Sequence, residues 1–599
     1  MQIRLRPFAA AVLLALGLCG PVRAECVMSK FDDLPVTMSD LRPTVTVKVN
    51  GHDAVFFIDS GAFFSTITPE GAASFGLVKG PLPPGMTIRG AGGEADMSVG
   101  TAKTFSFAGI PFTHTDFLIS ETGVGGGAVG VIGQNLLSKV DVEYDFANGV
   151  MRLFMPEKCS DKFLGYWVKP NQPYSVVHIS PEINTQANAT ATASVNGVKI
   201  KVLFDTGAGG SVVSTDAAAR VGVKPPQAIA GSASFSQGWG LHSYMQTWIA
   251  PVDSFKLGDE EIQHTRLRFG DLRLRDDIDM LIGADFFLSH RVLVSNSQHK
   301  LYFTYNGGAV FNLTTAPPPT EAQPPNASTQ AAASSQDAYS DTPSDAPGFE
   351  RRAAAYWERR EFAAVVADLT HAVALDPKEP RYLYKRGVSE LALGKADAAL
   401  ADFDAALKLK PDYVEVVLER ARFHRAQKDK ARTREDLDLA DHLAAGDADV
   451  RFMLAGEYDR EGLEKQAVAQ TDQWIAAHPK SDKFAEALNA RCWVRARGDM
   501  ELDKALADCN AALKLRPGSP EFLDSRALVH LRLGNVDKAM ADYQAALRLM
   551  PNNPWTLYGH GLVELRKGLK TEGEADIARA VALRPDLPDE ARAIGLTPP

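Results

Sequence analysis

Residues 56–67 read FFIDSGAFFSTI, and residues 202–213 read VLFDTGAGGSVV. In both, an apolar run ends at an aspartate, Asp59 or Asp205. A hydroxyl residue follows (Ser60, Thr206), then Gly-Ala (Gly61, Gly207), and three residues later a serine (Ser65, Ser211). An apolar run broken by such residues reads as a strand entering a tight turn. One aspartate in that setting is most simply a turn cap. Two copies, 146 positions apart, carry more information. Each is followed by an aliphatic-aliphatic-Gly segment, Val131-Ile132-Gly133 after 74 residues and Leu281-Ile282-Gly283 after 78. The first part of the chain is a duplicated unit.

The chemistry follows from bringing the two turns together. Gly61 and Gly207 let the backbone fold back and aim amide N–H groups at each carboxylate. Ser60 and Thr206 supply hydroxyls able to bond across to the opposite turn. Two carboxyls that close cannot both ionise easily, so the pair holds one proton and titrates as a unit. One member can then take a proton from water while the other polarises a carbonyl. Gly133 and Gly283 allow a neighbouring strand to approach each turn and shield it. Each half also has a glycine-rich stretch between its motifs, Gly90, Gly92 and Gly93 in one and Gly238, Trp239 and Gly240 in the other. These are candidate flaps over a cleft, or ordinary hairpin tips.

These motifs make residues 40 to 305 resemble the aspartic proteases, in particular the retropepsin-like branch of the pepsin/retropepsin clan. The resemblance implies an all-β bilobal fold of two retropepsin-like barrels flanking a cleft, with Asp59 and Asp205 as catalytic pair. Each half is short, as in a retropepsin unit, yet both sit in one chain. The lobes could therefore pair with each other or with those of a second molecule.

Texture along the chain divides it further. Residues 1–24 carry Arg4 and Arg6, an apolar run from Phe8 to Leu18, and Val22-Arg23-Ala24 as a cleavage site, which reads as a signal peptide. Residues 25–160 and 161–313 are the two lobes, with hairpin signals such as Asn50-Gly51 and Asn196-Gly197. Residues 314–347 are rich in Pro, Ala, Ser and Thr and read as a disordered linker. Residues 348–599 turn to Ala, Leu, Arg and Asp at helical period. There Pro377, Pro411, Pro479, Pro517, Pro551 and Pro585 recur at 34, 68, 38, 34 and 34 residues. Small residues stand twelve and mostly five positions before these marks (Ala399 and Ala406, Ala539 and Ala546). The region resembles the tetratricopeptide (TPR) repeat family over about seven repeats. It is expected to form an all-α solenoid with a groove for a protein partner.

Charged residues make up 23% and net charge is −10, with no long basic run, so nucleic acid is not the expected partner. No stretch reaches the ~20 apolar residues of a spanning helix, so no stable membrane insertion is expected. The chain should be exported, periplasmic or secreted. Four cysteines remain after residue 24, and an oxidising compartment permits two disulfides, Cys26 with Cys159 and Cys492 with Cys509. No Cys/His spacing resembles a metal site, and direct attack by water calls for no cofactor. Asp141, Asp145 and Asp285 read as solvated turn residues. No Gly-x-Ser-x-Gly elbow is present. Two functions remain: an aspartic endopeptidase acting on peptide or protein substrates, or a catalytically silent assembly protein working through its repeats.

Overall fold

The computed structural model describes residues 26–598 apart from 83–87, 91–92, 96, 121–126, 181–188, 226–233, 238–243, 273–277, 312, 314–341, 447, 480 and 482. The expected signal peptide and most of the linker lie outside the described residues, as do Gly92, Gly238, Trp239 and Gly240.

The first half opens with an alternation. Strand Arg42–Val49 buries Pro43, Val45, Val47 and Val49 and turns its other side chains outward, the period-two pattern of a half-buried strand. It turns through Asn50 and Gly51, both at positive φ (50° and 86°), as a two-residue hairpin with the twist of its strands requires. Strand His52–Ile58 returns antiparallel and ends one residue before Asp59. The pairing continues through Gly130–Ile132, Thr66–Ile67, Ile110–Ser120 and Met97–Phe107, whose Phe105 and Ser106 pair back onto Val49 and Lys48. Six strands thereby close a barrel.

The second half repeats this order: Thr190–Val195, Val198–Phe204, Met280–Ile282, Val212–Ser214, Glu260–Gly270 and Tyr244–Leu257. Strand Thr190–Val195 also pairs with Tyr244–Leu257. The Asn196-Gly197 turn repeats the positive φ values (49° and 76°).

A third sheet joins the halves. Strand Asp141–Asp145 pairs antiparallel with His290–Ser295, placing Val142 opposite Val294 and Tyr144 opposite Val292. The two lobes therefore meet within one chain. Tyr144 and Phe287 pack edge-to-face at 5.2 Å in a core that runs unbroken between them. Cys26 is bonded to Cys159, tying the outermost strand, Val27–Lys30, to the end of the first lobe.

The joining sheet corrects one expectation. Asp141, Asp145 and Asp285 are buried, not solvated. Asp141 accepts hydrogen bonds from Ser295 and Ser297 at 2.6 and 2.8 Å. Arg152 reaches Glu143 at 2.5 Å and Asp145 at 3.1 Å, while Arg291 reaches Glu143 at 2.9 Å. Buried acids persist where their partners are buried with them.

From Ala346 the chain is a run of paired α-helices, seven pairs ending at Leu583, then a short helix Leu587–Ala593. The first helix begins at Ala346 under an Asp345 cap, two residues before the boundary expected from composition. Small residues at the helix crossings (Ala399, Ala406, Ala505, Ala512, Ala539, Ala546) are fully buried. Trp474 fills one such place, and Cys492 is bonded to Cys509 across another pair. A second periodic feature locks five of the seven pairs: an arginine on the first helix grips an aspartate sixteen or seventeen residues on. These are Arg352–Asp368, Arg386–Asp402, Arg420–Asp436, Arg491–Asp508 and Arg526–Asp542, at 2.6 to 2.8 Å. Helix Ala346–Glu358 leans on the first lobe, where Glu358 Oε2 accepts the Leu41 N–H at 3.1 Å.

Candidate active site

Both motif aspartates stand at the end of a strand, where backbone pairing fixes them. Asp59 N–H donates to Ile132 O at 3.0 Å, and Asp205 N–H to Ile282 O at 2.9 Å. The aliphatic-aliphatic-Gly segments thus run beside each turn. A methyl on Gly133 would come within 3.0 Å of Ala62 O, and one on Gly283 within 3.0 Å of Ala208 O, so only glycine fits. Gly133 and Gly283 each donate to the motif serine, Ser65 Oγ or Ser211 Oγ, at 3.0 Å.

The two turns interlock. Ser60 N–H donates to Thr206 Oγ1 at 3.0 Å, and Thr206 N–H donates to Ser60 Oγ at 3.0 Å. Each hydroxyl then donates a hydrogen bond to the strand of the other half: Ser60 to Phe204 O and Thr206 to Ile58 O, both at 2.9 Å. All four bonds are buried, where a missing partner would cost about 1–3 kcal/mol.

This lock brings the carboxyls together. A methyl on Gly61 would fall within 3.0 Å of the Asp205 carboxyl, and one on Gly207 within 3.0 Å of the Asp59 carboxyl. Each glycine is thus the floor on which the opposite aspartate rests. Asp59 Oδ1 accepts from Gly61 and Ala62 N–H at 2.9 and 2.8 Å. Asp205 Oδ1 accepts from Gly207 and Ala208 N–H at 2.9 and 3.2 Å. Both residues are ringed by protein yet keep an accessible face. Burial raises both carboxyls above the ordinary range, and Asp205 rises further because the Asp59 charge lies beside it. That is the physics of a pair sharing a proton.

Two supports escaped the reading of the motifs. Asn135 Oδ1 accepts from both Ser65 N–H and Ser65 Oγ at 2.8 Å. Asp285 accepts from Ser211 N–H at 3.0 Å and from Ser211 Oγ at 2.7 Å. Their signal was their common place, two residues after Gly133 and Gly283. Of the candidate flaps, Gly90 and Gly93 pair in a two-stranded hairpin. In the second half, Ser234–Gln237 pairs with the start of Tyr244–Leu257, and the glycines between them are outside the described residues.

Residues 45–136 and 191–286 match the family described as aspartyl protease. The intervals coincide with the two lobes, so an aspartyl-protease family domain occurs twice. Residues 350–414, 384–448 and 520–553 match tetratricopeptide repeat families. Among curated proteins, the chain is 37% identical over 70 residues to serine/threonine-protein phosphatase 5 of Rattus norvegicus, covering 12% of this chain and 14% of that one. It is 27% identical over 187 residues to the tetratricopeptide repeat and J domain-containing co-chaperone DNJ1 of Fusarium oxysporum f. sp. lycopersici, covering 30% and 35%. The chain thus spans about a third or less of these relatives' lengths. A tetratricopeptide repeat protein from Parabacteroides merdae aligns at 14% identity with a TM-score of 0.34, over 42% of this chain and 98% of that one. No described helix is long and apolar enough to cross a membrane.

Proposed function

We propose that the paired lobes, read as two retropepsin-like barrels, form an exported aspartic endopeptidase whose helical repeats hold a protein partner or substrate. The observation that carries the reading is the reciprocal lock of Ser60 and Thr206, which sets two raised carboxyls side by side. Turns that served only as caps would need no such cross-bonding between halves.

In the reaction, the ionised member of the pair removes a proton from a water lying between the carboxyls. The protonated member donates to the oxygen of the scissile carbonyl. Water adds to the carbonyl carbon; as the C–N bond breaks, the proton taken from water passes to the leaving amine and the proton given to the carbonyl oxygen returns to its carboxylate. The Gly61, Ala62, Gly207 and Ala208 amides hold one oxygen, Oδ1, of each carboxyl, so the pair needs little reorganisation during the step. Export is supported by the two cysteine pairs, with Cα–Cα separations of 4.7 and 5.5 Å, since such bonds persist in oxidising compartments.

The test is cleavage of an unfolded protein at mildly acidic pH by wild type and by Asp205→Asn. Fragments from the wild type alone are expected. Equal cleavage by the variant, or none by the wild type at any pH, would overturn the proposal and leave an assembly role for the repeats.

A further inference from the structure

We propose that His560, Glu564 and Asp576 in the last helix pair form a divalent-cation site of the zinc type. The argument starts from the periodic lock. In the second pair, Arg386 grips Asp402 at 2.7 Å, Glu390 lies one turn beyond Arg386, and Lys395 reaches Glu390 at 3.2 Å. Two acids there face two cations.

The same places recur 174 residues later. Asp402 becomes Asp576 and Glu390 becomes Glu564, so both acids are kept. Arg386 becomes His560 and Lys395 becomes Leu569, so both cations are replaced. His560 Nδ1 lies 2.8 Å from Asp576 Oδ2 and 3.6 Å from Glu564 Oε2. The latter is too long for a hydrogen bond. Glu564 Oε2 is buried, has no hydrogen-bond partner and faces the imidazole. Arg579 reaches the other Asp576 oxygen, Oδ1, at 3.2 Å from the surface side, and also donates to Pro551 O. One ligand atom from each of the three residues falls within 4.8 Å of the others.

An imidazole nitrogen and two carboxylate oxygens are a donor set that zinc accepts, with metal bonds near 2.0–2.2 Å and a fourth position left for water. His560 and Glu564 are four apart on helix Pro554–Arg566, hence on one face, and Asp576 comes from the facing helix Lys570–Leu583. An ion here would do the work of the missing arginine, clamping the last pair of the array.

The full chain, stripped with a chelator and re-equilibrated with zinc, should retain about one zinc ion after gel filtration. Its thermal midpoint should rise on zinc addition. His560→Arg restores the arginine of the second pair, so it should fold, retain no zinc and show no zinc-dependent shift. Glu564→Gln keeps the imidazole and should bind at least about tenfold more weakly. It decides the matter should His560→Arg fail to fold. Wild type that retains no zinc, or zinc retention unchanged in the variants, would overturn the proposal.

Discussion

The two candidate active-site turns are near copies, and one chemical difference behind them is a matched pair of substitutions. In the first lobe the motif serine is held by Asn135, and Leu118 stands on the neighbouring strand. In the second lobe the same places hold Asp285 and Arg268. Asp285 and Arg268 are both buried, and the Asp285 charge offsets part of the burial that lowers the Arg268 pKa. A neutral amide beside leucine has become a carboxylate beside a guanidinium. The hydrogen bonds to serine are alike, but the charges must come as a set, because a buried charge without its counterpart is expensive. The duplicated fold conserves the geometry around the dyad and lets the electrostatics behind it diverge.

The most severe break in the comparison is at the aspartates themselves. Asp59→Asn and Asp205→Asn should each lower peptide cleavage by about 10³-fold or more, given what acid–base groups contribute. The double variant should be no worse than either single one, because the pair acts as a unit. Initial rates on an unfolded protein substrate would check this. A large residual rate in one single variant would mean that the halves are unequal in the chemistry.

The charged pair behind the second turn comes next. Arg268→Leu alone should strand the Asp285 carboxylate and cost about 3–5 kcal/mol. Adding Asp285→Asn rebuilds the first lobe's arrangement and should recover a large part of that loss. Chemical denaturation of the two single variants and the double would give the coupling energy. Additive losses would show that the two substitutions are unrelated.

The pH dependence of stability separates the pair's electrostatics from its proposed catalysis. Asp205 binds its proton more tightly folded than unfolded, since burial and Asp59 both raise it. Its contribution is complete below the unfolded carboxyl value of about 4 and is lost as pH rises through the raised folded value. Asp205→Asn carries no such charge. Its thermal midpoint relative to wild type should therefore climb between mildly acidic and neutral pH. A constant difference between the two would mean that the pair is not electrostatically coupled.

The smallest effect concerns a contact between the first lobe and the repeats. Glu358 accepts the Leu41 N–H, and Leu41 Cβ lies 3.2 Å from where a methyl on Gly209 would sit, in the second turn. Glu358→Ala should cost about 1 kcal/mol in stability. A shift in KM or kcat accompanying that loss would show that the helical array bears on the site through Leu41. Unchanged kinetics would confine Glu358 to stability.

Much of this protein could be read along the chain. Asp59 and Asp205 were legible because strand, turn and Gly-Ala recur in the same order, and a duplicated local sequence builds a duplicated local structure. The helix pairs were legible because a 34-residue period fixes where small residues must lie. The buried roles of Asp141, Asp145 and Asp285 were not legible. Burial depends on what packs over a residue, and in these cases the cover comes from strands or loops far off in sequence. The same holds for Asn135, whose serine partner is 70 positions away.

Local order, repeat period and turn chemistry were determined by the sequence itself, because each rests on neighbours within a few residues. That the two lobes close on each other inside one chain was decided by tertiary structure alone. That outcome needs the strand Asp141–Asp145 to find His290–Ser295 and two hydroxyls to exchange bonds across 146 residues. Contacts of that range follow from the packing of whole sheets, which no short motif encodes.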